Sequence, residues 1–161
     1  YINSPDSIIY NKSNVLFGLY NSKNEIVKKD NCFIAEGYTD VMRFHQIGIK
    51  NIVSSSGTAL TVSQINLIRR LTKNVTMLFD SDKAGVNATE RAVELLLSQG
   101  MNIDICILPD NEDPDSFGRS KTSEEINNYV EENSVDFIEF KSNMLGSSIK
   151  NSPSQKTKII N

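Results

Sequence analysis

Met77-Leu78-Phe79-Asp80-Ser81-Asp82-Lys83-Ala84-Gly85 is the stretch that decides the fold. The apolar run Val75-Thr76-Met77-Leu78-Phe79 reads as a buried strand, and it stops at two aspartates spaced by one residue. From Gly85 to Gln99, Ala88, Ala92, Leu95 and Leu96 recur at helical spacing, and Gly100 is a helix stop. Both carboxylates are therefore expected at the carboxyl end of a strand, just before a helix, which is where open α/β sheets bind ligands.

The same grammar repeats on either side. Cys32-Phe33-Ile34-Ala35 reads as a strand that ends at Glu36-Gly37-Tyr38-Thr39-Asp40, followed by a helix from Thr39 to Ile47 closed by Gly48. Ile52-Val53-Ser54 reads as a second strand and Gly57-Thr58-Ala59-Leu60 as a turn. The segment Thr61 to Leu71 reads as a helix with Thr61 and Gln64 as a capping box. A fourth strand is expected from Ile103 to Leu108, then an acidic loop, Asp110 to Asp115. Thr122 with Glu125 opens a helix to about Glu132, and Val135, Phe137, Ile138 and Phe140 suggest another. Before the first strand, Tyr1 to Asn14 reads as a connector and Asn21 to Asp30 as polar turn chemistry. Strands alternating with helices of this length imply an α/β fold: a parallel sheet of about four strands flanked by helices, with its strand ends gathered at one edge.

Bulk properties narrow the function classes. A chain of 161 residues, 39% hydrophobic and 23% charged, has the composition of one ordinary globular unit. The net charge of -3 is not that of a strongly basic nucleic-acid domain. No run is long enough to span a bilayer and no signal peptide is evident, so the expected location is cytoplasmic. Cys32 and Cys106 lie in apolar runs and read as buried free thiols without metal-binding spacing. His45 is the sole histidine and reads as a partly exposed helix residue, and with that one histidine no Ser-His-Asp or Cys-His arrangement is supportable. Arg69 and Arg70 read as a solvated pair at the negative end of a helix.

The informative feature is the number of acids the topology brings to one edge: Glu36 and Asp40, Asp80 and Asp82, Asp113 and Asp115. Taken singly, each has a plain reading as a solvated loop end, an N-cap or an Asx turn. Together they would repel without a counter-cation. Carboxylate oxygens with no His or Cys among them suit Mg²⁺ or Mn²⁺ rather than zinc. Such ions work with phosphates, so the expected chemistry is phosphoryl or nucleotidyl transfer. Gly37, Gly57 and Gly85 would let backbone N–H groups come close to a phosphate.

Glu36-Gly37-Tyr38-Thr39-Asp40, Gly57-Thr58-Ala59-Leu60-Thr61 and Asp80-Ser81-Asp82-Lys83-Ala84-Gly85 together resemble the Toprim domain, the metal-binding domain of bacterial primases, topoisomerases and some nucleases. The flanks resemble the DnaG-type primase family in particular. Tyr1-Ile2-Asn3-Ser4-Pro5, Asn11-Lys12 with Leu16-Phe17-Gly18-Leu19-Tyr20, and Leu108-Pro109-Asp110 to Asp113-Pro114-Asp115 occur in that family's order, and the resemblance runs from Tyr1 to about Phe140. Ser81 stands where the family mostly has glycine, and Lys83 where arginine is frequent.

The resemblance implies a metal-dependent nucleotidyltransferase that copies single-stranded DNA into RNA primers from nucleoside triphosphates. It implies Glu36 as the catalytic and metal-linked acid, and Asp80, Asp82, Asp113 and Asp115 as metal ligands. Tyr1 and Lys12 are implied near nucleotide or template, with Asp40, Gly37, Gly57 and Gly85 in support. Mg²⁺ is the implied cofactor, with Mn²⁺ as substitute. Zinc and a replicative-helicase contact are implied only for family regions outside this chain. The expected division is residues 1–30 as the end of an N-terminal subdomain, 31–118 as the Toprim domain and 119–161 as a helical extension. Such a fragment is expected to make little or no primer by itself. The alternatives are a Toprim nuclease or topoisomerase-like domain and a non-catalytic metal-binding module. A receiver-type acidic cluster fits Glu36 poorly.

Overall fold

The computed structural model describes residues 5–55, 59–79, 83–109 and 112–141, without side-chain detail at Phe79 and at 83–90. A five-stranded sheet in the order β2-β1-β3-β4-β5 forms its centre. Its strands are β1 (Cys32–Ala35), β2 (Ile52–Ser54), β3 (Asn74–Phe79), β4 (Asn102–Ile107) and β5 (Ser134–Asp136). The first four are mutually parallel, and β5 lies antiparallel to β4. The helices are α1 (Leu19–Lys29), α2 (Tyr38–Gln46), α3 (Val62–Arg69), α4 (Lys83–Ser98), α5 (Pro114–Arg119) and α6 (Ser123–Asn133).

Period-two alternation sorts the strand side chains to two faces. Cys32, Ile34, Val75, Met77, Ile103 and Ile105 point to one face, where Ile26 of α1, Ile65 and Ile68 of α3, and Val93 and Leu96 of α4 cover them. Phe33, Ala35, Leu78 and Cys106 point to the other, under Val41 and Phe44 of α2, Phe117 of α5, and Ile126 and Val130 of α6. Burying each large side chain fully is worth about 1.5–3 kcal/mol. The two layers therefore bury both faces of the sheet.

Several helix ends follow the sequence's punctuation. Thr61 accepts from Gln64 N at 3.2 Å while Gln64 Oε1 accepts from Thr61 N at 3.0 Å, closing the expected capping box. Thr122 and Glu125 do the same at 3.3 and 2.7 Å. Gly48 and Gly100 end α2 and α4 with φ of 96° and 70°. The helix expected from Gly85 starts at Lys83.

Two readings are corrected. Asn21 to Asp30 is not turn chemistry but most of α1. Only Ser22 and Ile26 of that helix are buried, one turn apart, so its remaining polar residues are a solvated face that mimics a loop. Val135 does not open a helix. It lies in β5, paired with Ile105, while Phe137 two residues on is buried in the same core cluster. The open edge of β4 takes Val135 into a strand, while Phe137, Ile138 and Phe140 lie in helix at 137–141, as expected. Among the described residues no helix is long and apolar enough to cross a membrane.

Candidate metal centre and its neighbouring groove

In the sheet order β2-β1-β3, the chain passes from β1 outward to β2 and returns on the other side as β3. That reversal puts a topological switch point between β1 and β3, where open α/β sheets form their binding crevice. Ile34 pairs with Met77, so the two strands end side by side, with backbones ~4.8 Å apart. Glu36 directly follows β1, and β3 ends at Phe79, one residue before Asp80 in sequence. Asp80, Asp82, Tyr1 and Gly57 lie outside the described residues, and Gly85 falls within the backbone of α4.

Glu36 is exposed, and no hydrogen bond or ion pair among the described residues engages its carboxylate. Its neighbours are ordered differently. Gly37 is the N-cap of α2 in an extended conformation, and its N–H donates to Asp40 Oδ2 at 2.9 Å. Asp40 is buried and also sits at the positive end of the helix. A Cβ on Gly37 would stand 3.1 Å from that same Asp40 oxygen. Asp40 thus shapes the turn that presents Glu36.

The loop after β4 ends in a second device of this kind. Asp113 is the N-cap of α5, accepting from Ser116 N through Oδ1 at 2.7 Å, with Pro114 at the first helical position. Asp115 has both oxygens on guanidinium groups: Oδ1 accepts from Arg43 Nε at 2.9 Å and Oδ2 from Arg119 Nη2 at 2.6 Å. The hydrogen bonds from Arg119 and then Arg43 hold its carboxyl below the usual range.

Lys12 sits in a one-turn 3-10 helix, Lys12–Asn14, docked on α3. The fully buried Gln64 donates through Nε2 to Lys12 O at 2.9 Å and Val15 O at 2.8 Å, and Thr61 Oγ1 donates to Ser13 O at 2.6 Å. Phe17 and Ser54 exchange backbone hydrogen bonds at 2.9 and 3.2 Å, tying the connector to β2. Lys12 thereby lines a groove of about 580 Å³ together with Tyr10, Phe17, Tyr20, His45 and Ser55. His45 is half-buried. Because Ser22 Oγ donates to Ile52 O at 2.7 Å, the 3.1 Å contact makes His45 Nε2 the donor to Ser22. Burial and the nearby Lys50 charge lower the imidazole pKa, outweighing its hydrogen bond at Ile52.

Sequence reasoning missed Arg43 and Arg119, and for Gln64 it gave the cap but not the bonds to Lys12 O and Val15 O. Nothing local pairs Arg43 with an acid 72 positions later. The one sequence signal is Gly118, an otherwise costly helix residue. A Cβ there would meet Arg43 Cγ at 2.5 Å, so the glycine makes room for the arginine. Cys32 and Cys106 are buried free thiols as expected, and burial pushes Cys106 up to about 11.

The donor chemistry fits a hard divalent cation in part. Glu36 offers both oxygens among the described residues, and Asp113 keeps Oδ2 beyond its cap bond. Asp115 already accepts one guanidinium hydrogen bond on each oxygen. No three His, Cys, Asp or Glu among the described residues form a metal-holding group, and Asp80 and Asp82 are not in that set.

A Toprim-like family model matches residues 33–118, more than half of the chain. The DNA primase of Aquifex aeolicus is 42% identical over 130 residues, covering 81% of this chain and 26% of that protein. The E. coli primase catalytic core superposes with a TM-score of 0.85 at 32% identity, over 99% of this chain and 52% of that one. A DnaG primase catalytic domain bound to ssDNA gives a TM-score of 0.75 at 36% identity, over 82% of this chain and 44% of its own. The chain spans about a quarter of the length of the curated relatives it matches. It belongs to the Toprim-like family, and its matched relatives are DNA primases.

Proposed function

We propose that this chain is the metal-binding part of a DNA primase, an RNA polymerase that makes primers on single-stranded DNA from nucleoside triphosphates. The observation that carries the reading is a Glu36 unpaired among the described residues, at the β1/β3 switch point of a primase-like sheet, directly beside the strand that leads into Asp80. Glu36, Asp80, Asp82 and Asp113 are the carboxylates assigned to Mg²⁺, with Mn²⁺ able to replace it, and Asp40 and Gly37 shape the turn that offers Glu36. When bound, the metal would supply Lewis-acid stabilisation of phosphate oxygens. Lys12, its backbone held by Gln64 and its side chain half-buried in the groove, supplies a positive charge suited to a nucleotide phosphate, and Tyr1 is assigned to the same neighbourhood.

In this reading residues 31–118 are the catalytic Toprim unit, 1–30 join it to a preceding subdomain and 119–161 extend it. Template, nucleotides and the helicase contact engage the whole protein, in the cytoplasm.

The test is primer synthesis on a single-stranded template, with nucleoside triphosphates and Mg²⁺ or Mn²⁺. The full-length protein should synthesise primer, and Glu36→Gln should lower the rate by at least roughly a hundredfold, the scale for losing an electrostatic catalytic contact. The 161-residue chain alone should make little or none. Cutting of supercoiled DNA in place of primer synthesis would assign the domain to a nuclease or topoisomerase instead.

A further inference from the structure

We propose that Arg43 is a positioning residue of the acidic edge, fastening α5 to α2 through Asp115, and that Asp115 is a brace rather than a metal ligand. This rests on the reading of the edge as a metal site.

Arg43 lies on the second turn of α2, the helix whose first turn carries the Glu36-presenting cap. Asp115 is the second residue of α5, the helix whose N-cap is Asp113. The two helices pack directly, and the Arg43–Asp115 bond of 2.9 Å joins them at partly buried positions, with 26% and 21% of the side chains exposed. Arg119, one turn along α5, takes the other Asp115 oxygen, so the carboxylate is bridged on both sides. Two further contacts orient the guanidinium: Arg43 Nη1 donates to Gln46 Oε1 at 2.7 Å, and its alkyl stem lies over Gly118. A carboxylate with one guanidinium on each oxygen has half of its roughly four lone-pair sites taken, and two positive charges oppose the approach of a third. Its order passes instead to Asp113, two residues away, whose Oδ1 caps α5 and whose Oδ2 is bonded to no guanidinium among the described residues, although the Arg119 charge lies near.

Direct ligation and bracing predict opposite signs for Arg43. If Asp115 were a ligand, removing Arg43 would release a competitor and tighten metal binding. If Asp115 is a brace, removing Arg43 loosens the Asp113 loop and weakens binding. The experiment compares Arg43→Ala, Asp115→Asn, their double variant and Gly118→Ala, which displaces the Arg43 stem without removing a charge. Two quantities are read: Mn²⁺ affinity by calorimetry, and amide exchange at Ser116 and Phe117.

The expected result is amide exchange faster by about tenfold in each single variant, a local opening of the α5 start, with the double variant no worse than either single one. Mn²⁺ binding should weaken severalfold in Arg43→Ala, Asp115→Asn and Gly118→Ala alike. Tighter Mn²⁺ binding in Arg43→Ala, or exchange unchanged in that variant, would overturn the proposal. Absence of Mn²⁺ binding in the unmodified chain would count against the metal site itself, and the exchange cycle would then decide the brace alone.

Discussion

The loops after β1 and β4 carry the same sequence device, acids clustered beside a helix start, and use it differently. In Glu36-Gly37-Tyr38-Thr39-Asp40 the first acid is exposed and unengaged among the described residues, while the last is buried and caps α2. In Asp113-Pro114-Asp115 the first acid caps α5 and the last bridges two arginines. Three of these four carboxylates are thus already at work in the fold. The lesson is that an acidic motif at a strand end contains both unengaged acids and supports. Side-chain partners, which spacing does not specify, tell them apart.

The hardest way to break the comparison is to detach one edge. Phe117 is fully buried where α5 meets α2, and Phe117→Ala should cost about 3–5 kcal/mol, read as a lower urea midpoint in equilibrium unfolding. A cost under about 1 kcal/mol would mean that α5 does not depend on that layer.

A smaller effect separates the two acids of the first loop. Asp40→Ala removes a buried cap and should cost about 1–2 kcal/mol, whereas Glu36→Gln, at an exposed and unengaged position, should stay within about 0.5 kcal/mol of the parent. Equal costs in thermal unfolding would erase the distinction between support and ligand on this loop.

The smallest effect is a pH slope at the groove. The His45 pKa is lowered in the fold by burial and Lys50, so the unfolded chain takes up the proton first. Stability is then fully present above the usual histidine value of about 6.5 and declines as pH falls from there through the lowered folded value. Thermal unfolding between pH 8 and 5 should show this decline, and His45→Gln should flatten it. A slope identical in that variant would place its origin elsewhere.

Much of the architecture was legible from the residues. The four parallel strands, the Thr61–Gln64 and Thr122–Glu125 caps and the buried thiols follow from alternation, local capping chemistry and apolar context. What escaped notice was nonlocal or thinly apolar. Helix α1 buries only Ser22 and Ile26, too few for a periodic signal. Strand β5 exists because β4 leaves an edge to cover, and a local pattern does not contain that edge. Candidate acids could be enumerated from sequence, but Asp115 and Arg43 are partners across 72 residues, and only the α2–α5 packing reveals it.

The central claim is that the edge led by Glu36 takes up a divalent cation. Its most direct test is paramagnetic broadening of amide NMR signals by Mn²⁺ in the 161-residue chain, beside the Asp80→Asn, Asp82→Asn variant. The account predicts selective broadening at Glu36, Gly37 and the Asp113 loop, lost in the variant. No selective broadening, or the same broadening in the variant, would contradict it.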